Sequence, residues 1–399
     1  MFGLNRATAK NREQKFEILG LTEGRWLIEC ILENSAEDKA IDHARSILAG
    51  DKYDEVKIVR QTIRKDGFTT EAEVFKEARK PKQKTDITAA AAADADYVCR
   101  DLDDFYGLES RIVIGRVLRE YLDKNVITQT ELLHHHSHLG KLHSYGNLIN
   151  TAVSQVAAVQ ARAVGVNVRE RINALYDLVN KATARARDIA AERKRLPVLE
   201  PDGLAPLMRR VEARFEPADR GFAVHVALAG YLMGSRGWGQ TLENVMKLAT
   251  ADADATAIAL IDNVIADILG SGLAVKDLLG QQPDLGSALR LLANLGLGRL
   301  PIDAPGLNET LAMLNRLIVG KGLPACRAVI AGRLCRAVKS NQPLSRADAN
   351  VEARLFQDLQ ARLKQENGEM FGGPRMLEAL AARQKAMRTA LLRQIGIDH

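Results

Sequence analysis

Two periodicities divide the chain. From Lys15 to Glu77 apolar residues recur at every second position: Phe16 and Ile18, then Trp26, Ile28, Cys30 and Leu32, then Val56 and Ile58. That alternation predicts a hairpin with one apolar face, closed by the turn Thr22-Glu23-Gly24-Arg25. Leu19 and Leu21 around Gly20 break the period near the end of the first strand. A third strand begins at Val56, and Thr69 to Phe75 supplies a fourth after the Lys65-Asp66-Gly67 turn. Between the hairpin and the third strand, Ile41, Ala44 and Ile47-Leu48 fall on one side of a helix that Ser35 caps and Gly50 ends. From Tyr97 onward the repeat lengthens to three or four residues, as in Ile114, Val117-Leu118 and Tyr121, or Ile261, Val264-Ile265 and Ile268. Glycine and proline clusters, among them Gly234 to Gly239 and Pro301 to Gly306, cut this region into roughly a dozen helices. No fixed repeat of solenoid length is present.

The fold class that follows is mainly α, with a small N-terminal ββαββ (α+β) module followed by a large multi-helical domain. The expected boundaries are a disordered N-terminus over 1–14, the module over 15–78 and a linker over 79–96. A helical subdomain over 97–196 follows, ending in a long bridging helix from Val166 to Lys194, and a helical bundle subdomain fills 197–399. Composition agrees: aromatics are only 5%, which favours packed helices over a sandwich, while 46% hydrophobic residues exclude a wholly disordered chain. The start, Met1 to Lys15, is polar and basic and carries no signal-peptide core. The most apolar run, Thr256 to Leu269, is interrupted by Asp262, Asn263 and Asp267, so no membrane span is expected. Four scattered cysteines without a CxxC pair read as reduced, mostly buried thiols in a cytoplasmic protein.

A net charge of +6 permits contact with an anionic partner without demanding it. For nucleic acid, the candidate contacts are Arg79, Lys80, Lys82 and Lys84 in the linker, with Arg333, Arg336 and Lys339 on the outer face of a C-terminal helix. Few aromatics interleave with that charge, and a solvated linker explains the first group equally simply. The histidines are the least ordinary feature: His134, His135, His136, His138 and His143 crowd together. On one helix His134 and His138 share a face, as do Glu131 and His135. That makes Glu131, His134, His135 and His138 a candidate set for zinc or another divalent metal, with His225 as a distant further ligand. A polar turn is the competing reading, and no other cofactor is expected. The acidic stretches at Asp101 and Asp252 fail as calcium loops. Gly234-Ser235-Arg236-Gly237-Trp238-Gly239 matches no phosphate-binding motif. It reads as a helix–helix corner anchored by Trp238, with Arg236 placed to meet a carboxylate. Arg327 falls on the buried stripe of Ile330, Leu334 and Val338, where a guanidinium needs a carboxylate or an anionic ligand. Nucleophilic catalysis finds no motif, which leans the reading away from an enzyme.

The segments Gly24-Arg25-Trp26 and Val56-Lys57-Ile58-Val59-Arg60 resemble the opening module of a group of uncharacterised bacterial helical proteins. In that group, stretches similar to Arg236-Gly237-Trp238-Gly239 and Leu323-Pro324-Ala325-Cys326-Arg327 accompany a cyclic-nucleotide-binding domain. The resemblance runs along most of the chain on short motifs. It implies a regulatory or scaffolding part in bacterial signalling and carries over no functional residue, since this chain has no cyclic-nucleotide phosphate cassette. The leading expectation is therefore a non-catalytic cytoplasmic adaptor or regulatory scaffold that binds a protein partner through the module's free sheet face or edge. A nucleic-acid-associated protein comes second, and a metal-dependent enzyme or sensor third. Whether the chain self-associates is left open by the sequence.

Overall fold

The computed structural model describes residues 14–22, 25–50, 52–53, 55–63, 69–78, 87–92, 97–192, 194–200, 203–301, 308–340, 342–345 and 349–394. The expected N-terminal tail up to residue 13 lies outside them, as do 79–86 and 93–96 of the expected linker. The chain forms two compact units, Met1–Asp86 and Ile87–His399.

The first unit has the ββαββ order that the alternation predicts: β1 (Gln14–Thr22), β2 (Arg25–Glu33), α1 (Glu37–Ala49), β3 (Glu55–Ile63) and β4 (Thr69–Ala78). The strands form one antiparallel sheet in the order β2-β1-β3-β4. Phe16, Ile18, Val56 and Ile58 point to one face and bury against Ala40, Ala44 and Leu48 of α1. Gly20 continues that inward row, so the period of β1 is not broken. A Cβ on Gly20 would lie 2.4 Å from the Tyr53 ring, which occupies the space a side chain would need. The helix begins one residue later than expected. Its N-cap is Ala36, without a side-chain cap, and Glu37 and Asp38 in the first turn complement the helix dipole instead.

Apart from one isolated antiparallel bridge between Lys364 and Met370, the elements of the second unit are, among the described residues, all helices. Its first part holds α2 (Leu102–Tyr106), α3 (Leu108–Val117), α4 (Arg119–Asn125), α5 (Gln129–His134), α6 (His136–His143), α7 (Leu148–Val164) and α8 (Val168–Ala191). There follow α9 (Leu204–Glu212), α10 (Pro217–Leu232), α11 (Trp238–Lys247), α12 (Ala255–Leu269) and α13 (Gly272–Leu279). The last are α14 (Leu285–Gly296), α15 (Glu309–Lys321), α16 (Pro324–Lys339), α17 (Ala349–Arg362) and α18 (Gly373–Gln394). Part of the expected linker belongs to this unit. Ile87 is buried with Leu118, Tyr121 and Leu122, and the Ala90 amide donates to the Val117 carbonyl at 2.9 Å.

The acids that interrupt the apolar run of α12 are buried and tie helices together. Asp262 accepts from the Ala325 and Cys326 amides at 2.7 and 2.8 Å, so a carboxylate on one helix caps the start of α16. Asp267 accepts from Arg111 Nε at 3.0 Å, and its second oxygen accepts from the Thr130 amide and hydroxyl at 2.8 and 2.7 Å. The same guanidinium donates to the Tyr106 carbonyl and to Asn263 Oδ1, which leaves the buried charge well partnered. Among the described residues no single helix is long and apolar enough to cross a membrane.

Candidate functional site

The histidine stretch does not assemble as the helical spacing suggests. Helix α5 ends at His134, and His135 adopts an extended backbone (φ −112°, ψ 115°) before α6 begins. One non-helical residue rotates everything after it, so His134 and His138 do not share a helix face. Glu131 is spent in a capping box. Its carboxylate accepts from the Thr128 amide and hydroxyl, both at 2.8 Å, while Thr128 Oγ1 accepts from the Glu131 amide at 3.0 Å. Burial pushes this carboxyl up to about 7, against the lowering effect of the Thr128 donors.

His134 Nδ1 is bonded to the Thr130 carbonyl at 2.8 Å. Its ring stacks on His225, with centroids 4.6 Å apart and planes 14° off parallel. The His225 Nδ1 is likewise bonded to the Gly221 carbonyl at 2.7 Å. A carbonyl only accepts, so both imidazoles carry their proton on Nδ1. Burial holds both rings below the ordinary histidine range, and the neighbouring His225 lowers His134 further, so His134 is the more affected. His135 and Ser137 share a hydrogen bond of 2.8 Å, and the buried His138 ring sits 5.2 Å from His135. Burial lowers His138 to about 4. Among the described residues no group of three or more His, Cys, Asp or Glu side chains is placed to hold a metal. The expected metal set Glu131, His134, His135 and His138 is thus dispersed into a cap, a ring stack and a tilted pair.

The arginines are also redirected. Arg236 is exposed, and it is its backbone amide that bonds, to Gln240 Oε1 at 2.7 Å. Trp238 is buried at the start of α11, as an anchor for the helix corner should be. Arg327 lies half-buried with its guanidinium 5.8 Å above the Phe371 ring, so an aromatic face stands where a carboxylate was expected. Arg333 is not on the outer face. It turns inward and donates to the Gly270 carbonyl at 2.9 Å, and burial lowers it to about 10, helped by the nearby Arg336 and Arg119. Arg336 and Lys339 are exposed. Arg79, Lys80, Lys82 and Lys84 lie outside the described residues.

The surface that stands out is on the first unit. Strand β2 is an edge of the sheet and carries Leu27, Ile28 and Ile31 at 48%, 56% and 50% exposure. Its clean alternation predicts one buried face, but the register shifts between Ile18 and Leu19: Ile18 pairs with Cys30, and Leu19 with Ile28. Glu29 is the extra residue of a β-bulge. Its carboxylate accepts from the Tyr53 hydroxyl and from Lys52, at 2.7 Å for the latter. Cys30 and Leu32 therefore pack towards α1, whereas Trp26 and Ile28 turn to the opposite face. There they join Leu19, Leu21, Ile31 and Val59 in an apolar stripe across a sheet face that α1 does not cover. Lys57 and Lys76 hold their ammonium groups 4.6 and 5.6 Å from the Trp26 ring. The other edge differs: β4 carries Glu71, Glu73, Lys76 and Glu77, charges that discourage pairing. No sequence signal marked the bulge. A glutamate amid the six apolar residues of β2 is its nearest trace.

Comparison of the chain with protein-family models, with curated proteins and with solved structures finds no match.

Proposed function

We propose that the chain is a non-catalytic adaptor whose N-terminal unit takes up an extended segment of another protein along β2. The reading rests on one observation: an edge strand with exposed aliphatic side chains, continuous with an apolar sheet face that α1 leaves uncovered. Strand addition would satisfy the outward backbone groups of β2, and the side chains of the added strand would supply selectivity. The segment that fits has aliphatic residues at alternate positions against Ile28 and Ile31. Near Trp26 it has an acidic residue to meet the Lys57 ammonium, since Lys76 is already paired with Glu55 at 3.2 Å.

The test compares the full chain with its Ile28→Lys/Ile31→Lys variant as bait in native lysate, with and without nuclease. Both positions are exposed, so the variant retains its fold. The adaptor reading expects a protein that survives nuclease, is lost by about tenfold or more in the variant, and protects β2 amides from exchange when bound. A partner that the variant still captures equally, or that nuclease removes, overturns it. Concentration-dependent dimerisation lost in the variant would instead assign this edge to a second copy of the chain.

A further inference from the structure

The turn between α12 and α13, Gly270-Ser271-Gly272, is flanked by guanidinium groups from two other helices. Arg333 of α16 donates to the Gly270 carbonyl at 2.9 Å, and a Cβ on Gly272 would lie 3.6 Å from its Nη2. Arg119, the first residue of α4, reaches the same turn, and a Cβ on Gly270 would lie 3.0 Å from its Nη2. The absence of side chains at 270 and 272 lets two cations approach one stretch of backbone.

Positive charge is in excess there. Arg119 Nη1 donates to Asp123 at 3.3 Å, whereas among the described residues Arg333 makes no ion pair and holds only the Gly270 carbonyl. Asp267, one turn earlier on α12, is taken up by Arg111 and Thr130. Burial, Arg336 and Arg119 together lower Arg333 to about 10, with Asp123 acting against them. Ser271 caps α13 by accepting from the Ala274 amide. That leaves the first-turn amides of Gly272 and Leu273, both exposed residues, without an acceptor in the helix. A half-buried guanidinium crowded by like charges costs stability unless an anion joins it, and a helix start favours a ligand of the same sign. The donors come from α4, α16 and the start of α13, so a tetrahedral oxyanion engages them together where a planar carboxylate engages fewer.

We infer that Arg333, Arg119 and the start of α13 form a binding site for a phosphate group, carried as the free ion or as a monoester of a small molecule. Arg336 adds to the field that draws the anion in. The site lies wholly within the second unit, and the inference is independent of the docking edge on the first.

The experiment titrates the full chain with inorganic phosphate and with glycerol 3-phosphate, beside sodium chloride at matched ionic strength. Arginine side-chain and backbone amide NMR shifts and thermal stability are followed. Expected are one saturable site, shifts centred on Arg333, Arg119, Gly272 and Leu273, and a Tm raised beyond the chloride control. Tighter binding of glycerol 3-phosphate assigns the site to a monoester, and equal or tighter binding of inorganic phosphate assigns it to the free ion. Arg333→Gln should weaken binding by about tenfold or more, while Lys339→Gln, an exposed cation of the same helix, should change it by less than about twofold. If Arg333→Gln does not fold, Arg336→Gln replaces it, with a loss of about threefold expected from the weaker field. The assignment is overturned if neither compound saturates beyond the chloride control, or if the shifts centre elsewhere. Undiminished binding by the arginine variants overturns it too, as does a loss in Lys339→Gln as large as theirs.

Discussion

Glu131 and His138 are both buried on neighbouring helices, and burial moves them in opposite directions. The Glu131 carboxyl titrates at about 7 in the fold against 4.5 ordinarily, so between those pH values the folded chain holds a proton that the unfolded chain has released. Its penalty is absent below the lower value, grows as pH rises and is complete above about 7, on the order of 3 kcal/mol. His138, at about 4 against 6.5, acts the other way. The unfolded chain takes up its proton first as the medium is acidified, so stability is lost as pH falls from 6.5 towards 4. His134, lowered by the same cause, adds to that loss. The two effects offset each other in the wild type, and Glu131→Gln separates them. The variant should melt higher than the wild type at pH 8 and show little difference below pH 5, where Glu131 is already protonated. Melting curves at the two pH values check this. The same difference at both would mean that the Glu131 carboxyl is not raised.

At the scale of elements, what the chain announces in advance is whatever depends on period alone. Alternation in the first unit and a repeat of three to four beyond it are enough to place the ββαββ module ahead of helices. Features that depend on a single residue stepping out of period stay hidden. Gly20 looks like a break in β1 because a glycine shows no side chain, yet it is the third inward position, and its missing side chain is Tyr53. Glu29 shifts β2 by one residue and exposes Ile28, which periodicity buries. His135 interrupts a helix whose spacing otherwise promises a ligand face. Asp262 and Asp267 read as mere interruptions of an apolar run, because their partners Ala325, Cys326, Arg111 and Thr130 are distant in sequence. The Gly20 contact gives a direct check. Tyr53 is buried and its hydroxyl is held by Glu29, so the ring cannot swing aside cheaply. Gly20→Ala should lower stability by about 1–3 kcal/mol through overpacking. An unchanged denaturation midpoint would show that the ring moves after all.

Across the molecule, among the described residues, each apolar cluster closes within one unit. The cluster under α1 draws only on residues between Phe16 and Phe75, and the others only on residues from Ile87 onward. A core that recruits nothing from beyond its own unit can melt on its own, and the small first unit has few buried side chains with which to resist. Two unfolding transitions are therefore expected for the full chain, the smaller one at lower temperature. Single substitutions should address them separately. Gly20→Ala should move only the lower transition. Asp262→Ala strips the start of α16 of its buried acceptor and leaves the Ala325 and Cys326 amides unsatisfied, which should cost about 2–5 kcal/mol and move only the upper one. Calorimetry of the two variants beside the wild type reads both effects in one experiment. If either substitution displaced both transitions together, the units would be unfolding as one cooperative body, and a partner bound at β2 would then stabilise the helices as well as the sheet.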